Sequence, residues 1–202
     1  MLELVRAGHG VERWAPTGDL APAVLLGNEV LLGFRRNETE LARRAAFGLG
    51  AMTDRGSLEL LVSMPVDAAV PGVMFGGGDR AAMRRQPEGV FGREGEYVRR
   101  LLQPGVTLLS VGVEASNWKQ GFERVAPFAS YCSRYVVVRP RRRADLEFAA
   151  FEARFYGVGL AVVNGSELEW LVAPALFVVE RFTAASWLMA ERVVESLQVL
   201  GE

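Results

Sequence analysis

The sequence predicts an α/β fold: a mixed central sheet flanked by helices, with a small N-terminal β element and a C-terminal helix. Three observations predict it. Short runs rich in Val and Leu, at 106–113, 135–138 and 158–163, are bounded by turn residues, as strands buried on both faces are. Segments with apolar residues at helical spacing separate these runs. Half of the 202 residues are hydrophobic and the net charge is only -1, so the chain can build a core and lacks the composition of disorder.

Taken in order, residues 1–36 form a β element packed on the core, and 37–202 form the α/β domain with its C-terminal helix. Val24, Leu25 and Leu26, then Val30, Leu31 and Leu32, flank Gly27-Asn28, a pair suited to the positive φ angles of a hairpin turn. Asn37 reads as an N-cap, with Glu38 and Glu40 in the first helical turn, where carboxylates suit the helix dipole. Leu41, Ala45, Leu49 and Met52 extend a helix over 38–53, ended by Asp54-Arg55-Gly56. Strands are expected at 58–64 and 70–75. Gly76-Gly77-Gly78 could cradle a phosphate at a helix start, but no G-K-[ST] follows, so a flexible turn is expected. Residues 79–104 read as an Arg-rich surface excursion with a short helix at 94–102.

The stretch 105–138 organises the rest. Its apolar run ends in Glu114, followed by the turn Ser116-Asn117, a helix to about Cys132 kinked at Pro127, and a strand from Tyr135 to Val138. Pro140 to Arg143 make a basic loop, and Asp145 caps a helix over 146–156. That helix shows Leu146, Ala149, Ala150 and Ala153 on one face and Phe148, Phe151 and Phe155 on another, which predicts burial around much of its circumference. A hairpin turns at Asn164-Gly165, and a final helix from Thr183 places Ala190, Val193, Val194 and Leu197 at core spacing.

Composition narrows the function. One histidine, His9, and one cysteine, Cys132, leave too few soft ligands for structural zinc and argue against Ser-His-Asp or Cys-His catalysis. No apolar run reaches membrane-spanning length and no signal peptide is visible, so a cytoplasmic protein without a membrane partner is expected. Lys119 is the only lysine. The arginine excess reads as coding bias, and any polyanion site must be a local patch.

The predicted order of helix, strand, strand, strand ending in Glu114, helix, strand (αβββαβ) carries several local features. VGVEAS is followed by Asn117-Trp118-Lys119; SRYVVVRP and YGVGLAVV follow; VPGVMF, with Pro71-Gly72, precedes them. With these the chain resembles the PD-(D/E)XK nuclease-like superfamily, the restriction-endonuclease-like fold, over about residues 37–175. The resemblance implies metal-assisted phosphodiester hydrolysis. An aspartate and a glutamate share Mg²⁺ or Mn²⁺, and a lysine two residues after the glutamate orients water or offsets charge. Here Glu114 matches the glutamate, but Gly72 stands at the aspartate position and Ser116 at the lysine position. Glycine offers no oxygen and serine no positive charge. The resemblance therefore implies a pseudo-nuclease, with no cofactor expected, serving as a DNA- or RNA-binding or assembly subunit.

An active enzyme using Mg²⁺ or Mn²⁺ would need Lys119 to reach back and Glu38 or Glu40 to act as a first-helix metal ligand. Asp79, Glu94 or Glu96 would have to replace the aspartate. A third reading sets nucleic acid aside for a protein-interaction or homo-oligomeric module. Arg139, Arg141, Arg142 and Arg143 are candidate phosphate contacts, as are Arg84, Arg85, Arg99 and Arg100, against the plainer reading of solvated charge. The plainer reading of Glu114 is a strand-end charge paired with a nearby arginine.

Overall fold

The computed structural model describes residues 18–66, 68–139, 143–164 and 167–200. The chain runs β1 (Asp19–Leu25), β2 (Asn28–Arg36), α1 (Glu38–Ala46), α2 (Arg55–Ser63), β3 (Ala69–Pro71), a 3-10 turn (Gly72–Met74), α3 (Gly77–Arg85), β4 (Phe91–Glu94) and β5 (Tyr97–Arg100). It continues with β6 (Val106–Ala115), α4 (Trp118–Val125), a second 3-10 turn (Ala126–Phe128), β7 (Ser133–Val138), α5 (Arg143–Tyr156), β8 (Val158–Asn164), β9 (Glu167–Val172) and α6 (Ala184–Leu200). This is an α/β protein with a mixed six-stranded sheet, ordered β1-β2-β6-β7-β8-β9, and a three-stranded sheet, ordered β3-β5-β4. Two compact units result: a sheet unit, up to Arg35 with Leu108–Val179, and a helical unit, Arg36–Thr107 with the chain from Glu180. Among the described residues no helix is long and apolar enough to cross a membrane.

In the sheet unit, β6, β7 and β8 are parallel, and β1 and β9 close the edges antiparallel to their neighbours. The central strands are buried on both faces, which is why they read as unbroken apolar runs. Pro22 lies in β1, an edge strand, where its missing N–H is tolerated. The N-terminal hairpin is thus two strands of the main sheet. Its turn is Leu26-Gly27 (φ 50° and 74°), one residue earlier than Gly27-Asn28, and Asn28 instead pairs with Leu25 and donates to the Leu26 carbonyl at 3.2 Å. Tyr135, Val137, Leu31, Ala161 and Leu168 form the buried cluster on one side of the sheet. On α5 the expectation of all-round burial fails. Ala149, Ala150 and Ala153 are buried, whereas Phe148, Phe151 and Phe155 are 53%, 65% and 76% exposed.

In the helical unit three expectations change type. Residues 58–64, read as a strand, belong to α2. Leu58 and Leu61 face a cluster with Val90, Leu102 and Trp187, while Leu60 and Met64 face another with Met83 and Val98. A helix packed on two sides is apolar nearly throughout and looks like a buried strand. The deciding local signal is Asp54, whose carboxylate accepts from the Ser57 N–H at 2.8 Å and starts this helix rather than ending the previous one. Helix α1 stops at Ala46 because Gly48 (φ 64°) takes the left-handed conformation that closes helices. Residues 70–75 hold only the end of β3 and a 3-10 turn. The glycine run opens α3, with the Asp79 carboxylate accepting from Gly76 N–H at 3.2 Å. Residues 94–102, expected helical, carry the β4–β5 hairpin, turning at Gly95 (φ 60°).

Candidate functional site

Glu114 is the penultimate residue of β6, where the strand leaves the sheet, and its side chain is 38% exposed. Its nearest charged partner is Arg139, just past β7, with Nε 3.9 Å from Oε1 and the arginine 80% exposed. Such a pair is loose and worth about 0–1 kcal/mol. Arg124 of α4 latches the same corner. Its guanidinium donates to the carbonyls of Glu114 (2.7 Å) and Glu29 (3.0 Å) and to Asn28 Oδ1 (3.3 Å). Ser116 Oγ donates to Gln120 Oε1 at 3.3 Å. Asn117 caps α4, accepting from Gln120 N–H at 3.0 Å. The Lys119 ammonium sits 5.3 Å from the Trp118 ring centroid, a cation–π contact, and Trp118 meets Phe122 and Phe148 edge-on. So Glu114, Ser116, Lys119 and Arg139 all belong to the sheet unit.

Gly72 does not join them. It begins the 3-10 turn after β3 in the three-stranded sheet of the helical unit, its N–H donating to the Glu96 carbonyl at 2.7 Å. The strands beside β6 are β2 and β7, so the segment expected to bring an aspartate equivalent beside Glu114 is not in that sheet. Glu38 and Glu40 also lie in the helical unit, on α1. Glu40 is buried, and both its oxygens are taken: Oε2 by Arg43 Nε (2.8 Å), and Oε1 by Arg43 Nη2 (2.9 Å), Arg44 Nε (2.9 Å) and Gln103 N–H (3.2 Å).

Mg²⁺ asks for several oxygen ligands in a tight octahedron. Among the described residues no group of three or more His, Cys, Asp and Glu could hold a metal ion. Glu114 is flanked instead by the cations of Arg124 and Arg139. The residues present do not fit the ion that the resemblance implies. Cys132 offers no alternative chemistry, because burial pushes its thiol up to about 12 and keeps it protonated.

The arginine candidates separate clearly. Arg141 and Arg142 lie outside the described residues, and Arg143 opens α5. Arg100 is structural: it is buried, donates to the Leu61 carbonyl at 2.9 Å, and lies 5.2 Å over the Trp187 ring. Arg99 is exposed and 3.9 Å from Glu94. Arg84 and Arg85 are exposed at the end of α3, without a hydrogen bond or ion pair among the described residues. Arg80 and Arg93, which sequence reasoning passed over, share that condition on α3 and β4.

Sequence reasoning also passed over the most polar buried group. Glu191 of α6 is fully buried; its oxygens accept from Arg44 Nη1 (2.6 Å), Arg44 Nη2 (2.7 Å), Trp187 Nε1 (2.8 Å) and Met52 N–H (2.9 Å). A carboxylate one turn after Trp187, among Ala190, Val193 and Val194, was the available signal. With every acceptor in use, the cluster is a structural one.

The chain is thus a two-unit α/β protein with one arginine-flanked carboxylate at its sheet end and a set of unpaired arginines on its small helix and hairpin. No family model, curated protein or solved structure matches it.

Proposed function

We propose that this protein binds nucleic acid in the cytoplasm without hydrolysing it, as a pseudo-nuclease in which a nuclease-like sheet has lost its metal site. The observation that supports this most is the company of Glu114: two arginines, and among the described residues no group of three or more His, Cys, Asp and Glu that could hold a metal ion. A phosphodiesterase of this kind needs at least two acids on one ion and a free ammonium near the attacked phosphorus. Lys119 lies instead against Trp118. The binding half of the proposal is supported by exposed arginines that no described carboxylate neutralises.

The test is direct. Purified protein incubated with supercoiled plasmid, single-stranded DNA and RNA, with Mg²⁺ and separately with Mn²⁺, is expected to leave every substrate intact while shifting its mobility at low salt. Cleavage that disappears in Glu114→Ala would overturn the proposal in favour of a divergent metal-dependent nuclease.

A second reading, self-association, is favoured by the exposed Phe148, Phe151, Phe155 and Tyr156 of α5. Rings at this spacing form one apolar stripe on a helix, and monomers rarely leave such a patch open. Sedimentation velocity over a hundredfold range of concentration is expected to show reversible dimerisation that Phe151→Asp with Phe155→Asp abolishes. A concentration-independent monomer would remove this reading.

A further inference from the structure

We propose that the helical unit binds duplex DNA, laying α3 into the major groove and setting the β4–β5 hairpin on the adjacent backbone. The inference rests on the nucleic-acid reading above and names its ligand class and contact surface.

The first support is topology. From α2 the chain runs through β3, a 3-10 turn, α3, then β4 and β5, with β3 and β4 both pairing antiparallel to β5. This is the arrangement of a winged helix, with the helix before α3 reduced to the 3-10 turn Gly72–Met74. In helix-turn-helix proteins it is this last helix that enters the groove.

The second support is how α3 is held. Only Met83 is buried, within the cluster of Leu60, Met64 and Val98, and Ala82 packs beside it. Arg80 and Arg84 are one turn apart and share an exposed face, with Arg85 next to them. A nine-residue helix is about 13–14 Å long, and the B-form major groove, about 12 Å wide, admits one. Gly77 and Gly78 form its first turn, and a Cβ at either would meet nothing within 4 Å, so packing does not require glycine there. Two bare residues let the helix start approach a phosphate backbone closely.

The third support is the hairpin. Arg93 stands opposite Val98 in the antiparallel ladder, and residues so paired project from one face. Val98 packs in the same cluster as Met83 of α3, so Arg93 projects on the α3 side of this sheet.

Charge agrees. Residues 76–100 hold six arginines against four carboxylates in a chain of net charge -1. Asp79 is held by Gly76 N–H and Glu94 lies near Arg99, while Arg80, Arg84, Arg85 and Arg93 have no carboxylate partner among the described residues. Duplex DNA is the occupant these features favour, because the A-form major groove of RNA is too narrow for a helix.

The experiment uses the full chain and fluorescence anisotropy. The probe is a labelled random-sequence duplex DNA of thirty base pairs, with single-stranded DNA and duplex RNA as competitors, over a salt series. The Arg80→Ala/Arg84→Ala variant is expected to bind about tenfold more weakly, with the log–log salt slope shallower by about one per arginine removed. Arg93→Ala is expected to lose about half the effect on a logarithmic scale, and Arg139→Ala to bind as the wild type does. Unchanged far-UV spectra and melting midpoints establish that the variants fold. Wild-type binding that is indifferent to Arg80, Arg84 and Arg93, or that duplex RNA competes away equally well, overturns this inference and leaves the broader nucleic-acid reading standing. Absence of binding to any DNA or RNA at low salt overturns both.

Discussion

Replacing Glu191 by alanine is expected to destabilise the helical unit by about 3–5 kcal/mol, the usual cost of removing one partner from a buried ion pair. The midpoint of urea unfolding, followed by far-UV circular dichroism, measures it. The loss is large because Glu191 serves four donors at once: both terminal nitrogens of Arg44, the Trp187 indole and the Met52 amide. Arg44 Nη1 and the Trp187 indole would lose their acceptor in a buried setting, since Glu191 and Trp187 are fully buried and Arg44 is 2% exposed. Arg44 would keep Glu40 and the Gln103 carbonyl, which limits the damage to one side of its guanidinium. A domain of this kind has roughly 5–15 kcal/mol in total, so partial unfolding at room temperature is within range. Glu191→Gln, which keeps the shape and one acceptor, should lose distinctly less. A Glu191→Ala cost under about 1 kcal/mol would mean that the cluster is not held as described.

The same cluster sets an acid limit. Burial pushes the Glu40 carboxyl up, but hydrogen bonds from Arg43, Arg44 and the Gln103 amide outweigh it and hold the group below its ordinary value of 4.5. A carboxyl depressed on folding contributes stability above its unfolded value, and that contribution is lost as pH falls through the folded one. Stability should therefore decline below about pH 4.5, and Glu40→Gln should flatten that decline.

The second large effect belongs to the sheet unit. Gly112→Ala is expected to cost about 2–3 kcal/mol, at the upper end of overpacking penalties. Gly112 lies beside Tyr135 in the β6–β7 ladder, and a Cβ there would run into the Tyr135 ring. The ring cannot retreat. It is 1% exposed, meets Trp170 edge-on with centroids 5.6 Å apart, and packs among Leu31, Val137, Ala161 and Leu168. A double-mutant cycle isolates the cause. In a Tyr135→Val background, where the ring is gone, Gly112→Ala should cost close to nothing. An equal cost in both backgrounds would place the penalty in the strand itself.

That glycine shows how far sequence reading reached. Strands β6, β7, β8 and β9 and helices α5 and α6 were legible because alternation, apolar runs and turn residues such as Gly157 act within a few positions. The place of Glu114, at the end of an apolar run and before the turn Ser116-Asn117, was equally plain. Yet Gly112 passed as one more residue of an apolar run, since only the neighbouring strand brings Tyr135 over it. Residues 58–64 went wrong for a related reason: the helix is covered on two sides, so within that window Glu59 is the only charged residue to mark its exposed face, and the period is lost in a nearly apolar run.

By itself, then, the sequence determined the α/β class, the order of strands and helices from β6 onward, and the scarcity of histidine and cysteine. Tertiary structure alone decided that Gly72 and Glu114 belong to different sheets, that Arg44 meets Glu191 across 147 positions, and that the phenylalanines of α5 face outward. The division has one physical origin. Periodicity and capping are settled by forces between near neighbours in the chain, whereas the partner of a face or a charge is chosen by packing among segments whose distance in sequence carries no information about their distance in space.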